Sequence, residues 1–135
     1  MENKVDKDTA GVEFERFINA MNLDANPAAM NAEDKEGFEE NRDRFIGAVM
    51  LGSLTVNENG EPTYTPQRVN DANAITFYEP TGASLMAMDR KKAGHDISKM
   101  FATMGDITKT SSGLFSKMKM SDLKICMSIT TLFLG

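Results

Sequence analysis

The sequence predicts an α+β fold, mainly α-helical, with about four to five helices and a small antiparallel sheet. Two apolar stripes argue for helices: Phe14, Phe17, Ile18 and Met21, and Ile97, Met100, Phe101 and Met104, each at i, i+3, i+4 and i+7. Asn59-Gly60 lies between the β-prone triplets Leu54-Thr55-Val56 and Thr63-Tyr64-Thr65. That dipeptide tolerates positive φ, so a hairpin is expected near 53–66. Finally, the stretch Ile75–Arg90, ITFYEPTGASLMAMDR, compresses a strand near 74–78, a sharp corner and a helix into sixteen residues.

In chain order, residues 1–8 are mostly polar and are expected to form a flexible N-terminus. Residues 9–135 make a single domain: an acidic helical pair over 9–52, the sheet over 53–78, and a helical region over 81–135. The first helix runs from Thr9 to Leu23, capped by Asp8 or Thr9, with Glu13 and Glu15 suiting the positive end of its dipole. Pro27 rules out a continuous helix through the connector. Asn31 opens a second helix that carries Glu33, Asp34 and Glu36 in its first turn and stops at Gly52. Its apolar residues crowd toward the end, so the acidic first half projects and the last two turns are buried.

Pro62 and Pro66 remove ladder donors, which makes the second hairpin strand short or an edge. Glu79-Pro80 ends the next strand, and Thr81 caps a helix from Gly82 or Ala83. A break at Gly94 follows, then a helix capped by Asp96 and ended by Gly105. Leu114-Phe115 form a single turn, and Ser121 caps the last helix with Asp122 in its positive first turn. That last helix has only Lys124, Ser128 and Thr131 as a continuous polar side. It is therefore expected to be buried on several sides, as a core helix or as one that partly awaits a partner.

At 135 residues, 41% apolar and 26% charged, the composition is that of an ordinary soluble domain. Eleven methionines and no tryptophan are the unusual entries in it. Methionine fills irregular cores and also suits surfaces that accept varied apolar partners. The lone Cys126 excludes an internal disulfide and a cysteine-cluster metal site. No apolar run is long enough to span a membrane, and the polar N-terminus is unlike a secretory signal, so a reducing cytoplasm is expected.

Net charge is −5, unevenly spread. Residues 1–50 hold 12 acidic and 6 basic side chains, whereas residues 90–124 hold 8 basic and 3 acidic. The basic residues alternate with apolar ones and lack an aromatic platform, which favours a solvated face or an acidic protein partner over nucleic acid.

No phosphate-binding glycine loop, nucleophile elbow or HExxH occurs. His95 is the single histidine, and a Cys126–His95 pair is disfavoured because an apolar run raises the thiol pKa. NENGE lacks the EF-hand spacing. The expectation is a protein that is not an enzyme and needs no cofactor.

The phrase ITFYEPTGASLMAMDR and the Met118–Leu134 segment, entered through Ser121-Asp122 and ending in an apolar run, resemble the tail assembly chaperones of long-tailed bacteriophages. The match covers roughly residues 70–135; residues 1–66 are longer and more acidic than in the shortest members. The resemblance implies a non-enzymatic phage tail assembly chaperone. It would bind the tape measure protein and keep it soluble in the host cytoplasm during tail tube polymerisation, and would be absent from the mature virion. It further implies the tail tube protein and a frameshift-extended form of the chain as partners.

The striped first helix and the crowded last one add an expectation of a homo-oligomer. The candidate partner or self-association surface comprises Phe14, Phe17, Met21, Met86, Met88, Ile125, Ile129 and Phe133. The alternatives are a structural phage tail component (tube or terminator subunit), or a small acidic adaptor binding another protein.

Overall fold

The computed structural model describes residues 3–23, 26–89 and 96–134. Among them, six α-helices and a three-stranded antiparallel sheet give the expected mainly helical α+β fold. Helices α1 (Lys7–Ala20), α2 (Ala32–Leu51) and α6 (Met120–Leu134) enclose the main core. A single 3-10 turn, Pro27–Ala29, lies between α1 and α2. Strands β1 (Leu54–Val56), β2 (Pro62–Tyr64) and β3 (Ile75–Thr76) form a meander in the order β1-β2-β3, with β1 against α1 and α2. Helices α3 (Gly82–Asp89), α4 (Asp96–Thr108) and the short α5 (Ser112–Ser116) pack in succession, and α4 meets α6.

Aromatic contact defines the centre of the core. Phe17 stacks on Phe45 with ring centroids 5.1 Å apart and meets Phe133 edge-on at the same distance. Phe14 meets the edge of Phe45 at 5.2 Å. Burying each such ring is worth roughly 1.5–3 kcal/mol, and favourable ring geometry adds to that. One aromatic from each of α1, α2 and α6 thus ties the three helices together.

Helix ends follow a common device. In α1 the Leu23 N–H donates to Ile18 O and the Asn22 N–H to Asn19 O, with Asn22 at φ +52°. In α2 the Ser53 N–H donates to Ala48 O, with Gly52 at φ +83°. In α4 the Thr110 N–H donates to Gly105 O, with Lys109 at φ +57°. All three are Schellman closures, which satisfy the last carbonyls through one left-handed residue.

Several boundaries differ from the sequence expectation. Asp6, rather than Asp8 or Thr9, caps α1 by accepting from the Thr9 N–H at 2.7 Å. The N-terminal segment is also tied down: the Lys4 and Val5 amides both donate to Met50 O. β2 is short, as expected, with three residues, and it is the central strand of the sheet. Pro62 opens it, and its carbonyl accepts from the Phe77 N–H at 2.8 Å. The reciprocal bond is missing because proline has no N–H, so the loss falls on the β3 side at the end of the ladder and leaves the pairing with β1 intact. Gly105 lies inside α4, three residues before its cap, and Lys109 takes the left-handed position. Helix α6 begins at Met120, which places Ser121 inside its first turn rather than at its cap.

Other expectations are met. Asn31 caps α2 through the Asp34 N–H, Gly52 ends it, and Gly60 takes φ +78° in the hairpin turn. Thr81 caps α3 by accepting from the Ala83 N–H. The break at Gly94 and His95 lie outside the described residues.

Candidate functional site

Where α1 ends, the chain turns back at Asn22 and brings Leu23 over Ile18. The first half of α2 and the last turn of α6 face the same space. Together they bound an open groove of about 660 Å³, within the ~300–1,000 Å³ of typical ligand pockets. Its apolar lining comes from Ile18, Leu23, Phe38, Leu132, Phe133 and Leu134. Met30, after the 3-10 turn, adds a flexible side chain.

The α2 wall is acidic and low. Glu33 and Asp34 lie in its first turn, and both line the groove. Neither forms an ion pair among the described residues, and no lysine or arginine lines the groove. One turn on, Gly37 leaves a notch: a Cβ built there would meet no atom within 4 Å. Phe38 then closes the wall, its ring tilted against that of Phe14 with centroids 6.2 Å apart. The carboxylates suit the helix dipole of α2, so their position is locally stable without a basic neighbour.

The predicted partner residues divide sharply in this structure. Phe14, Phe17, Met21, Ile129 and Phe133 are buried in the chain's own core. Within the single chain the i, i+3, i+4, i+7 stripe of α1 packs on α2 and, through Phe17, on Phe133 of α6. Phe133 alone among them also reaches the groove. Ile125 is half-buried against the core, and Met86 is 59% exposed on α3. The Met88 side chain lies outside the described residues. Sequence reasoning missed Leu23, Met30, Gly37 and Phe38, because the groove forms only once the turn after α1 lays the connector beside α2.

A second polar centre is internal. Asp122, 1% exposed in the first turn of α6, accepts from Tyr64 Oη at 2.6 Å, from the Gln67 N–H at 2.8 Å and from the Arg68 N–H at 3.0 Å. Burial, and then the hydrogen bond to Asp122, raise the Tyr64 phenol well above its ordinary value. Cys126, one turn along α6, is pushed up to about 12 by burial and by the Asp122 charge. Its Sγ lies 3.7 Å from Met118 Sδ. The thiol is therefore neutral near pH 7, and neither it, Tyr64 nor Asp122 lines the groove. The arrangement fastens the sheet to α6.

The E-P-T corner is held in a similar way. Ser84 Oγ donates to Asp106 Oδ2 at 2.6 Å and accepts from the Thr81 N–H, while the Tyr78 N–H donates to Ile107 O. Lys109 Nζ sits 4.1 Å from the centre of the Tyr78 ring. The corner thus fixes α3 to the C-terminal end of α4.

Among the described residues no group of three or more His, Cys, Asp and Glu side chains could hold a metal ion, and no helix is long and apolar enough to cross a membrane. No protein-family model, curated protein or solved structure matches the chain.

Proposed function

We propose that this chain is a non-catalytic phage tail assembly chaperone. In this role it holds helical segments of the tape measure protein and keeps that protein soluble in the host cytoplasm while the tail tube polymerises, and it is left out of the mature virion. The observation that carries the proposal is the groove between α1, α2 and α6, lined mainly by apolar side chains. Helix-in-groove docking uses a surface of this kind, and flexible lining residues such as Met30 let one groove accept many related segments.

The resemblance adds a link between sequence and site. The Met118–Leu134 segment, which carries part of it, supplies the Leu132–Leu134 wall of the groove. Partners of the same role are the tail tube protein, further copies of this chain and a frameshift-extended form of it.

The test is co-expression with the cognate tape measure protein, followed by capture on the tagged chain. Soluble complex is expected with the native chain and with Met86→Asp, whose side chain does not line the groove. Loss of complex is expected with Gly37→Leu, which fills the notch without touching the core. A tape measure protein equally insoluble with and without the chain overturns this role. Finding the chain in purified particles favours the tail-component alternative.

A further inference from the structure

We infer that the groove selects a basic amphipathic helix: one whose apolar stripe enters between α1, α2 and α6, and whose lysine or arginine flank lies along the first turns of α2. The inference rests on the reading of the groove as a helix-binding surface and adds the chemistry of its occupant.

Charge complementarity carries it. Among the described residues the groove is lined by two carboxylates, Glu33 and Asp34, and by no lysine or arginine; the Arg42 guanidinium sits behind this wall, 5.9 Å from the centre of the Phe38 ring. Beside Glu33 on α2 lies the exposed Glu40, already paired with Arg44. Unpaired carboxylates beside an apolar trough repel an acidic flank and are satisfied by a basic one. The competing occupant is a second copy of this chain, whose residues 90–124 hold 8 basic against 3 acidic side chains; the oligomeric state of the variants below separates the two.

Gly37 is the second observation. It stands in the middle of an exposed helical stretch, where glycine costs about 1 kcal/mol against alanine. Its missing side chain leaves open the groove wall between Asp34 and Phe38. An approaching helix backbone can come closer there than past any other residue type.

The experiment uses the full chain and three synthetic peptides that share one Leu/Met stripe at i, i+3, i+4 and i+7. Their flanks are lysine, glutamine or glutamate, and binding is read by fluorescence anisotropy. At low salt the lysine peptide is expected to bind roughly 3- to 10-fold tighter than the glutamine peptide, the gain of two rim charge pairs. The glutamate peptide should bind more weakly than either. High salt should close the gap, since the carboxylates are exposed to screening.

The double variant E33Q/D34N should lose the preference but retain binding of the glutamine peptide. Gly37→Leu, checked for an unchanged circular dichroism spectrum, should lose all three. Equal binding of the three peptides overturns the charge selection and leaves helix binding standing. No binding of any peptide overturns both. If Gly37→Leu instead dissolves an oligomer of the native chain, the occupant is a second copy and the inference falls.

Discussion

Tyr64 Oη donates to Asp122 Oδ1 at 2.6 Å, with 2% and 1% of the two residues exposed, joining the central strand of the sheet to the first turn of the last helix. The carboxylate accepts this bond together with those of the Gln67 and Arg68 amides, and the helix dipole of α6 favours its charge. Because α6 is anchored at its first turn, its last turn is held in place as the groove wall. The internal polar centre thus positions the external site.

Removing the acceptor is expected to be far worse than removing one donor. Asp122→Ala orphans a buried phenol and two partly buried backbone amides and should cost about 3–5 kcal/mol. Tyr64→Phe leaves Asp122 with two amide donors and should cost about 1.5–3 kcal/mol, the value of a hydrogen bond to a charged group. Urea denaturation of both variants and the double variant gives the coupling directly. Additive losses would mean that the two side chains do not act as a unit.

The same pair sets a limit on alkaline stability. The Tyr64 pKa is raised on folding, so the protonated phenol favours the native state. That stability is fully present below the unfolded tyrosine value of 10.0 and is lost as pH rises above it toward the higher folded value. A Tyr78→Phe chain keeps Tyr64 as its only tyrosine, since the sequence has two. Its phenolate absorbance is expected to rise only together with loss of far-ultraviolet circular dichroism. Ionisation that precedes unfolding would contradict the arrangement.

Much of the fold was legible because local chemistry and tertiary demand agree. Asn31, Gly52, Asn59-Gly60 and Thr81 each mark a boundary by a side chain or a φ value that the backbone needs there. Gly105 misled because a glycine near a helix end fits two positions, and packing against Thr110–Ser112 decides for the interior one. Asp122 was legible as a first-turn acid, but its partners are 54 or more residues away and leave no local pattern. Phe14, Phe17, Met21, Ile129 and Phe133 lie in the chain's own core for a related reason: an apolar stripe reports that a face is covered, never by what. The groove has no periodic signature at all, since it depends on a turn, a short connector and two helix ends meeting.

Cys126 should behave as a buried thiol. With its pKa pushed up to about 12 by burial and the Asp122 charge, only about one molecule in 10⁵ is thiolate at pH 7. Alkylation of the native chain with iodoacetamide should therefore follow transient unfolding and accelerate steeply with urea. Asp122→Asn removes the neighbouring charge without exposing the sulfur, so native protection should persist in that variant. Rapid labelling of the folded chain would place the thiol in reach of solvent.

Three glycines make opposite predictions for the same Gly→Ala change. At Gly37 a Cβ meets nothing, so alanine should stabilise by about 0.5–1 kcal/mol through helix propensity alone. At Gly105 a Cβ would lie 3.1 Å from both the Ser112 N and the Thr110 O, atoms of a loop already fixed by the Thr110 N–H bond to Gly105 O. The same propensity gain is offset there by crowding against backbone, and a net loss of about 1 kcal/mol is expected. At Gly60 the φ of +78° and a 2.1 Å approach to the Ala20 Cβ act together. Alanine must both strain the hairpin turn and push it off α1, so the loss should exceed about 2 kcal/mol. The order of thermal midpoints should be Gly37→Ala above the native chain, then Gly105→Ala, then Gly60→Ala. Gly105→Ala above the native chain would show that the Thr110–Ser112 loop yields, and with it the close packing that explains a glycine inside α4.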